Sequence, residues 1–369
     1  MNTIFMLRIP TWLKITTGTL LLFSFGTLQQ PSLYKVFEKD FLVGTALNTR
    51  QILAQDAREA EIINSQFNAY TPENAMKSVN IHPEWDRYDF RLADSLVNLA
   101  NRQGKKVNGH TLIWHNQLSP FARQIQDADS FRSFFKSHIS TIADRYKDRI
   151  FSWDVVNEAL NEDGTMRRSV FLEKLGEEYV TEAFRLTQAA APHVELYYND
   201  YNNEQPAKRK GCIRLINKIK EAGVRIDGVG IQGHWHLGKL PLKDIEESII
   251  AYHALGLKVM ITELDIEVLP RNVEGADPST RLSADPAINP YVNGLPEQLL
   301  QQQAHDYAAL FQLLLKHRDK ISRVTFWGVH DGQTWLNNWP VRGRTNHPLL
   351  FDRQLQPKPA YHSLLKLKP

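Results

Sequence analysis

A chain of 369 residues with 42% hydrophobic and 23% charged side chains has the composition of a folded globular protein and the length for one large α/β barrel. Lys and Arg total 44 against 41 Asp and Glu, and the resulting +3 is scattered rather than gathered into a stripe, which argues against nucleic acid as a partner. The single cysteine, Cys212, rules out an intrachain disulfide and a Cys-based metal centre, and in its helical-looking stretch it reads as a buried structural thiol.

Arg8 and Lys14 precede an apolar run from Ile15 to Phe25, the charge-then-apolar order of a signal peptide. The run is short for a bilayer span and no clean small-x-small cleavage site follows. Residues 1–30 therefore read as a signal peptide or an N-terminal anchor, and the chain as exported, periplasmic or secreted. From about residue 40 short β-rich apolar runs alternate with stretches of helical period: Phe41–Asn48, Phe67–Tyr70, Lys106–Trp114, Phe151–Val156, Glu195–Tyr198, Gly228–His234, Lys258–Leu264 and Arg323–Gly328. Runs such as Phe151-Ser-Trp-Asp-Val-Val156 are nearly continuous in apolar residues, as strands covered on both faces are. Helices are predicted between them, for example over Phe131–Tyr146, Val180–Ala190, Lys208–Ala222 and from Pro296 to His317. Pro296 suits a first helical turn, where a missing N–H is no loss. After the seventh run, Glu267 to Leu295 is rich in Pro, Asn, Asp and Gly, and an irregular loop of that length usually carries function or disorder. Repeated β-then-α order requires a parallel sheet. Eight units favour a single (β/α)8 TIM barrel over residues 40–369, with a long loop after strand 7, against a doubly wound open sheet.

Barrel enzymes carry their chemistry at the C-terminal ends of the strands. Here the second run leads into Glu73-Asn74-Ala-Met-Lys77, the third contains His110 and Trp114, and the fourth ends in Asn157-Glu158. The fifth ends in Asn199-Asp200-Tyr201-Asn202, the sixth in Gln232-Gly-His234, the seventh in Glu263-Leu-Asp265, and the eighth leads through Trp327 and His330 to Trp335. His110 and Trp114, Gln232 and His234, and Glu263 and Asp265 share strand parity and so a face. Asn157 and Glu158 are adjacent, and both reach one cavity only if the strand ends or bulges there. Carboxylates, amides, His and Trp without a Gly-rich phosphate loop suit neutral sugars, whose hydroxyls need paired donors and acceptors and whose C–H faces lie on flat indoles. Cutting a glycosidic bond then takes one carboxyl to protonate the leaving oxygen and another to attack the anomeric carbon or activate water. Glu158 and Glu263, on non-neighbouring strands, could flank such a bond.

Six segments in this order along the chain, Glu73-Asn-Ala-Met-Lys77, Gly109-His-Thr-Leu-Ile-Trp-His115, Trp153-Asp-Val-Val-Asn157-Glu158-Ala, Ile231-Gln-Gly-His234, Ile261-Thr-Glu263-Leu-Asp265 and Trp327-Gly328, resemble glycoside hydrolase family 10, the endo-β-1,4-xylanases. The resemblance covers about residues 40 to 366. It implies a (β/α)8 barrel and double displacement with retention, with Glu158 as acid/base, Glu263 as nucleophile and Asn157 on the sugar 2-hydroxyl. By the same likeness His234 orients Glu263 with Asp265 behind it, and Gln232 lies near the carboxylate pair. His110, Trp114, Trp327 and Trp335 wall the subsite of the cleaved sugar, Glu73, Asn74 and Lys77 hold its non-reducing neighbour, and Tyr201 stacks on the leaving-group side. At Ser78-Val79-Asn80 the chain departs from the Trp-Glu common in the family.

The expectation is thus a monomeric endo-xylanase acting on xylan or xylo-oligosaccharides without a cofactor. Activity on cellulose-like or mixed-linkage glucans is the alternative within the same chemistry. A metal-dependent hydrolase using His110, His115, His234 and His236, and a non-catalytic carbohydrate binder, are the alternatives outside it. His234 and His236 resemble a metal pair by their i, i+2 spacing, but no further ligands of suitable type join them.

Overall fold

The structure, a computed structural model, describes residues 32–270, 275–283 and 285–368. The segment read as a leader, residues 1–30, lies outside them. Among the described residues nine strands, all parallel to their neighbours, are ordered along the chain: β1 (Leu42–Leu47), β2 (Ala69–Pro72), β3 (Lys106–Trp114), β4 (Ser152–Asn157), β5 (Glu195–Asp200), β6 (Gly228–Ile231), β7 (His234–His236), β8 (Lys258–Glu267) and β9 (Ile321–Phe326). Pairing of β1 with β9 and of β6 with β8 closes the sheet, and helices lie between successive strands except between β6 and β7. The fold is a (β/α)8 barrel.

Nine strands make eight staves because β6 and β7 share one. β6 pairs with both β5 and β8, whereas β7 continues against β8 alone. The expected continuous run Gly228–His234 is broken at Gly233, whose φ of 85° is open to glycine and unfavourable for residues with a Cβ. A Cβ there would also lie 2.9 Å from Ile261 Cγ2. The break turns Gln232 and His234 into the barrel mouth. β8 runs on to Glu267, and the irregular segment after it contains a 3-10 turn at Pro286–Ile288.

The outer helices bury one stripe each. Ala128–Tyr146 buries Phe131, Phe134, Phe135, His138, Ile139, Ile142, Ala143 and Tyr146, the three-to-four spacing of one helical face. Asp127 caps its start by accepting from Ser130 N. Each large apolar side chain so buried stabilises by about 2 kcal/mol, and Phe134→Ala would cost roughly 3–5 kcal/mol, since a cavity remains. Under the sheet, Trp153 is fully buried against Gly109, where any Cβ would fall 2.2 Å from the indole. Cys212 is buried, as read from its setting. No helix among the described residues is long and apolar enough to cross a membrane.

Candidate active site

At the C-terminal mouth of the barrel lies a cleft of about 310 Å³. The segment after β2 lines it with Glu73, Asn74 and Lys77, and β3 lines it with His110 and Trp114. Asn157 and Glu158 from the end of β4, Gln232 and His234 from the broken stave, and Glu263 from β8 form its floor. Trp327 and Trp335 enter from the segment after β9. Two of the residues singled out from sequence stand outside the lining. Asp265 lies behind His234, and Tyr201 is only 5% exposed with Lys208 Nζ 3.8 Å from its ring centroid, so it offers an edge rather than a free platform.

Asn157 and Glu158 both face the cleft because the strand ends between them. Glu158 takes the left-handed φ of 58°, which costs a non-glycine residue about 1–2 kcal/mol. Its N–H still donates to Asn199 O at 2.9 Å, so the ladder with β5 holds the residue after its dihedrals have left the strand. Its carboxylate accepts from Trp114 Nε1 at 2.9 Å, Asn157 Nδ2 at 3.0 Å and Gln232 Nε2 at 3.1 Å. All three donors are neutral. Burial pushes the Glu158 carboxyl above its ordinary value and the charge of Glu263 adds to this, while Arg167, Gln232 and Trp114 only partly oppose it.

Glu263 has different company. Its Oε1 accepts from Asn199 Nδ2 at 2.8 Å, and its Oε2 lies 3.3 Å from His234 Nε2. The other ring nitrogen, Nδ1, sits 3.0 Å from Asp265 Oδ2, within ion-pairing distance but off the line of its N–H, and Trp335 Nε1 donates to the same oxygen at 2.8 Å. Burial alone would lower the His234 pKa, but Asp265 and Glu263 raise it to about 10, so the ring is an imidazolium at neutral pH. Burial likewise pushes Glu263 up. The His234 hydrogen bond, the charges of His110 and His234, and the Asn199 amide outweigh it and hold the carboxyl below its ordinary value.

The side of the cleft lined by the segment after β2 repeats the theme in miniature. Lys77 Nζ donates to Asn74 Oδ1 at 3.2 Å and lies 4.8 Å from the Trp114 ring centroid. Burial lowers its pKa and raises that of Glu73. His110 is oriented by Asp154 Oδ2, 2.9 Å from Nδ1, and meets Trp327 edge-on at 5.2 Å. Trp335 stacks on Trp339 at 4.7 Å, making a flat apolar wall of the kind that pyranose faces need.

Asn199 joins the set without having been singled out as a site residue. Its Nδ2 bridges Asn157 Oδ1 and Glu263 Oε1, both at 2.8 Å, and Thr262 Oγ1 donates to its Oδ1 at 2.6 Å. It stands at the end of a strand, which was the available signal. Arg167 also belongs to the site and had no signal, because it comes from a loop. As for a metal, the His234 nitrogens face two carboxylates, His236 Nε2 lies 3.6 Å from Glu267 Oε2, and no group of three or more His, Cys, Asp or Glu among the described residues is arranged to hold an ion.

The sequence profile of Glycosyl hydrolase family 10 matches residues 32–367. Endo-1,4-beta-xylanase A of Xylanibacter ruminicola is 41% identical over 345 residues, covering 92% of this chain and 94% of that one. The thermostable celloxylanase of Thermoclostridium stercorarium is 36% identical over 354 residues, covering 91% and 87%. Among solved structures, a family 10 endoxylanase retrieved from a sugarcane soil metagenome superposes with a TM-score of 0.88 at 39% identity, covering 91% of this chain and all of that one.

Proposed function

Because the chain belongs to glycosyl hydrolase family 10, we propose that it is an endo-1,4-β-xylanase that hydrolyses internal β-1,4 bonds of xylan by double displacement, with Glu158 as acid/base and Glu263 as nucleophile. The observation that carries the assignment is the contrasting company of two buried glutamates in one cleft, three neutral donors on Glu158 and the Asp265-backed His234 ring on Glu263, which biases the first carboxyl upward and the second downward. Glu263, ionised against His234, attacks the anomeric carbon while Glu158 gives its proton to the departing glycosidic oxygen. A covalent glycosyl ester results, and the shortened polymer leaves as an alcohol. Esterification removes the Glu263 charge that helped hold the proton on Glu158. The Glu158 pKa then falls, and the carboxylate accepts a proton from water as that water attacks the same carbon from the vacated side. Hydrolysis restores Glu263 and reloads Glu158, with retention of configuration.

Asn157, bonded to both Glu158 and Asn199, is read as the partner of the 2-hydroxyl of the reacting sugar. His110, Trp114, Trp327 and Trp335 wall that sugar, and Glu73, Asn74 and Lys77 present a charged and amide cluster to its non-reducing neighbour. The name of the celloxylanase relative keeps glucan cleavage as a second reading. The ratio of rates on aryl xylobioside and aryl cellobioside separates the two.

A mutant pair tests the roles. Glu263→Ala is expected to lose essentially all turnover, and Glu158→Ala to attack an aryl glycoside with a good leaving group, then stall until azide rescues it. Absence of both residual attack and rescue in Glu158→Ala would overturn the assignment. Residues 1–30 are read as directing export, which is checked by sequencing the N-terminus of protein recovered outside the cytoplasm; the chain is read as a monomer, which sedimentation tests.

A further inference from the structure

Glu158 holds a left-handed backbone conformation, and the side chain that grips its carbonyl comes from a loop nine positions further on. Arg167 Nε donates to Glu158 O at 3.0 Å, and its Nη2 donates to Leu160 O at 3.1 Å and to the Tyr201 hydroxyl at 2.7 Å. Its own N–H donates to Ala159 O at 2.7 Å, and its Nη1 lies 3.7 Å from Asp277 Oδ2. Asp277 in turn belongs to the long segment after β8. There its Oδ1 accepts from Asn116 Nδ2 at 3.0 Å and its backbone carbonyl from Trp339 Nε1 at 2.8 Å. Ala276 and Pro278, on either side of it, line the cleft. One guanidinium thus connects the Glu158 backbone, the Tyr201 edge and the turn that closes one side of the cleft.

Resting on the reading of Glu158 as acid/base, we propose that Arg167 is a positioning residue for proton transfer, a clamp that sets the Glu158 carbonyl, Tyr201 and the Asp277 turn as one unit. Five fixed or titratable groups act on Glu158 from the elements packed around it. Arg167 and Lys77 pull its proton off, Glu263 and Asp200 hold it on, and the Tyr201 hydroxyl stands beside Arg167. The clamp therefore does two separable things: hydrogen bonding aims the carboxyl, and charge keeps the acid from becoming too weak.

Arg167→Met and Arg167→Lys separate them. Both variants are assayed on aryl xylobiosides with poor and good leaving groups, beside Glu158→Ala, after thermal melts. Misaiming the acid is expected to lower kcat/KM about tenfold or more on the poor leaving group, which needs protonation, and to leave the good one within about threefold. In Arg167→Met the alkaline limb of the pH profile moves upward, because a cation that favoured ionised Glu158 is gone; in Arg167→Lys the limb stays and the leaving-group dependence remains. Equal losses on both substrates with an unmoved limb would overturn the clamp. If Arg167→Met fails to fold, Asp277→Asn, which breaks the ion pair and keeps an oxygen for Asn116, carries the test. A smaller but leaving-group-dependent loss supports the clamp, and a uniform one overturns it. Lack of leaving-group dependence in Glu158→Ala itself sinks the acid/base reading, whereas its presence there and absence in the Arg167 variants sinks the clamp alone.

Discussion

Glu158 at the end of β4 and Glu263 on β8 are both buried, both in the same cleft and linked through a pair of asparagines, Asn157 on Glu158 and Asn199 on Glu263, yet one carboxyl is raised above its ordinary value and the other lowered below it. The β4 side offers neutral donors, an indole and two amides, which accommodate either protonation state and leave desolvation in control. On the β8 side the imidazolium of His234 is fixed between Glu263 and Asp265. Burial therefore does not assign a role to a glutamate. What assigns it is whether one of its donors carries a charge, and that is decided one residue further out, by Asp265.

The largest break in this comparison removes one carboxylate. Glu263→Gln is expected to lower turnover by more than about 10⁴-fold. It also takes away a charge that holds the proton on Glu158, so NMR titration of the Glu158 carboxyl should give a lower pKa in the variant than in the native protein. An unchanged value would mean that the two carboxylates do not sense each other. Next comes the cation: His234→Asn keeps a donor but no charge, and turnover near neutral pH is expected to fall roughly 100-fold. Glu263 must be ionised to attack, and without the cation its pKa rises. The acid limb of kcat/KM should therefore move to higher pH, and a limb that stays in place would remove His234 from the account. Asp265→Asn acts one step further back, with a loss of about tenfold, because a His234 relieved of one carboxylate keeps the other.

The legible parts of this protein were those fixed by local chemistry. Eight apolar runs marked eight staves, and strand ends rich in Asn, Glu, His and Trp marked the mouth. The requirement that β4 terminate between Asn157 and Glu158 is met by the left-handed φ of Glu158. The break at Gly233 was hidden because one glycine in an apolar run reads equally well as strand interior. Asn199 was in view at the end of β5, but parity says which face a residue takes and not that its amide spans the distance from Asn157 to Glu263. Arg167 and Asp277 are 110 positions apart and lie in irregular segments, so only the closed barrel brings them together.

The smallest expected effect concerns stability and follows from the same imidazolium. Folding raises the pKa of His234 from 6.5 to about 10 by placing it between two carboxylates. A group whose folded pKa is raised contributes stability that is fully present below its unfolded value and is lost as pH climbs through the folded one. The native protein should therefore lose melting temperature progressively between pH 6.5 and about 10. The slope over that window should be shallower in His234→Asn, which has no proton to lose there. Other groups titrate in the same range, but they are common to both proteins, so the difference between the two curves isolates the ring. Parallel curves would mean that His234 is neutral in the folded state, and the contrast between the two glutamates would then need a different cause from the charge beside Glu263.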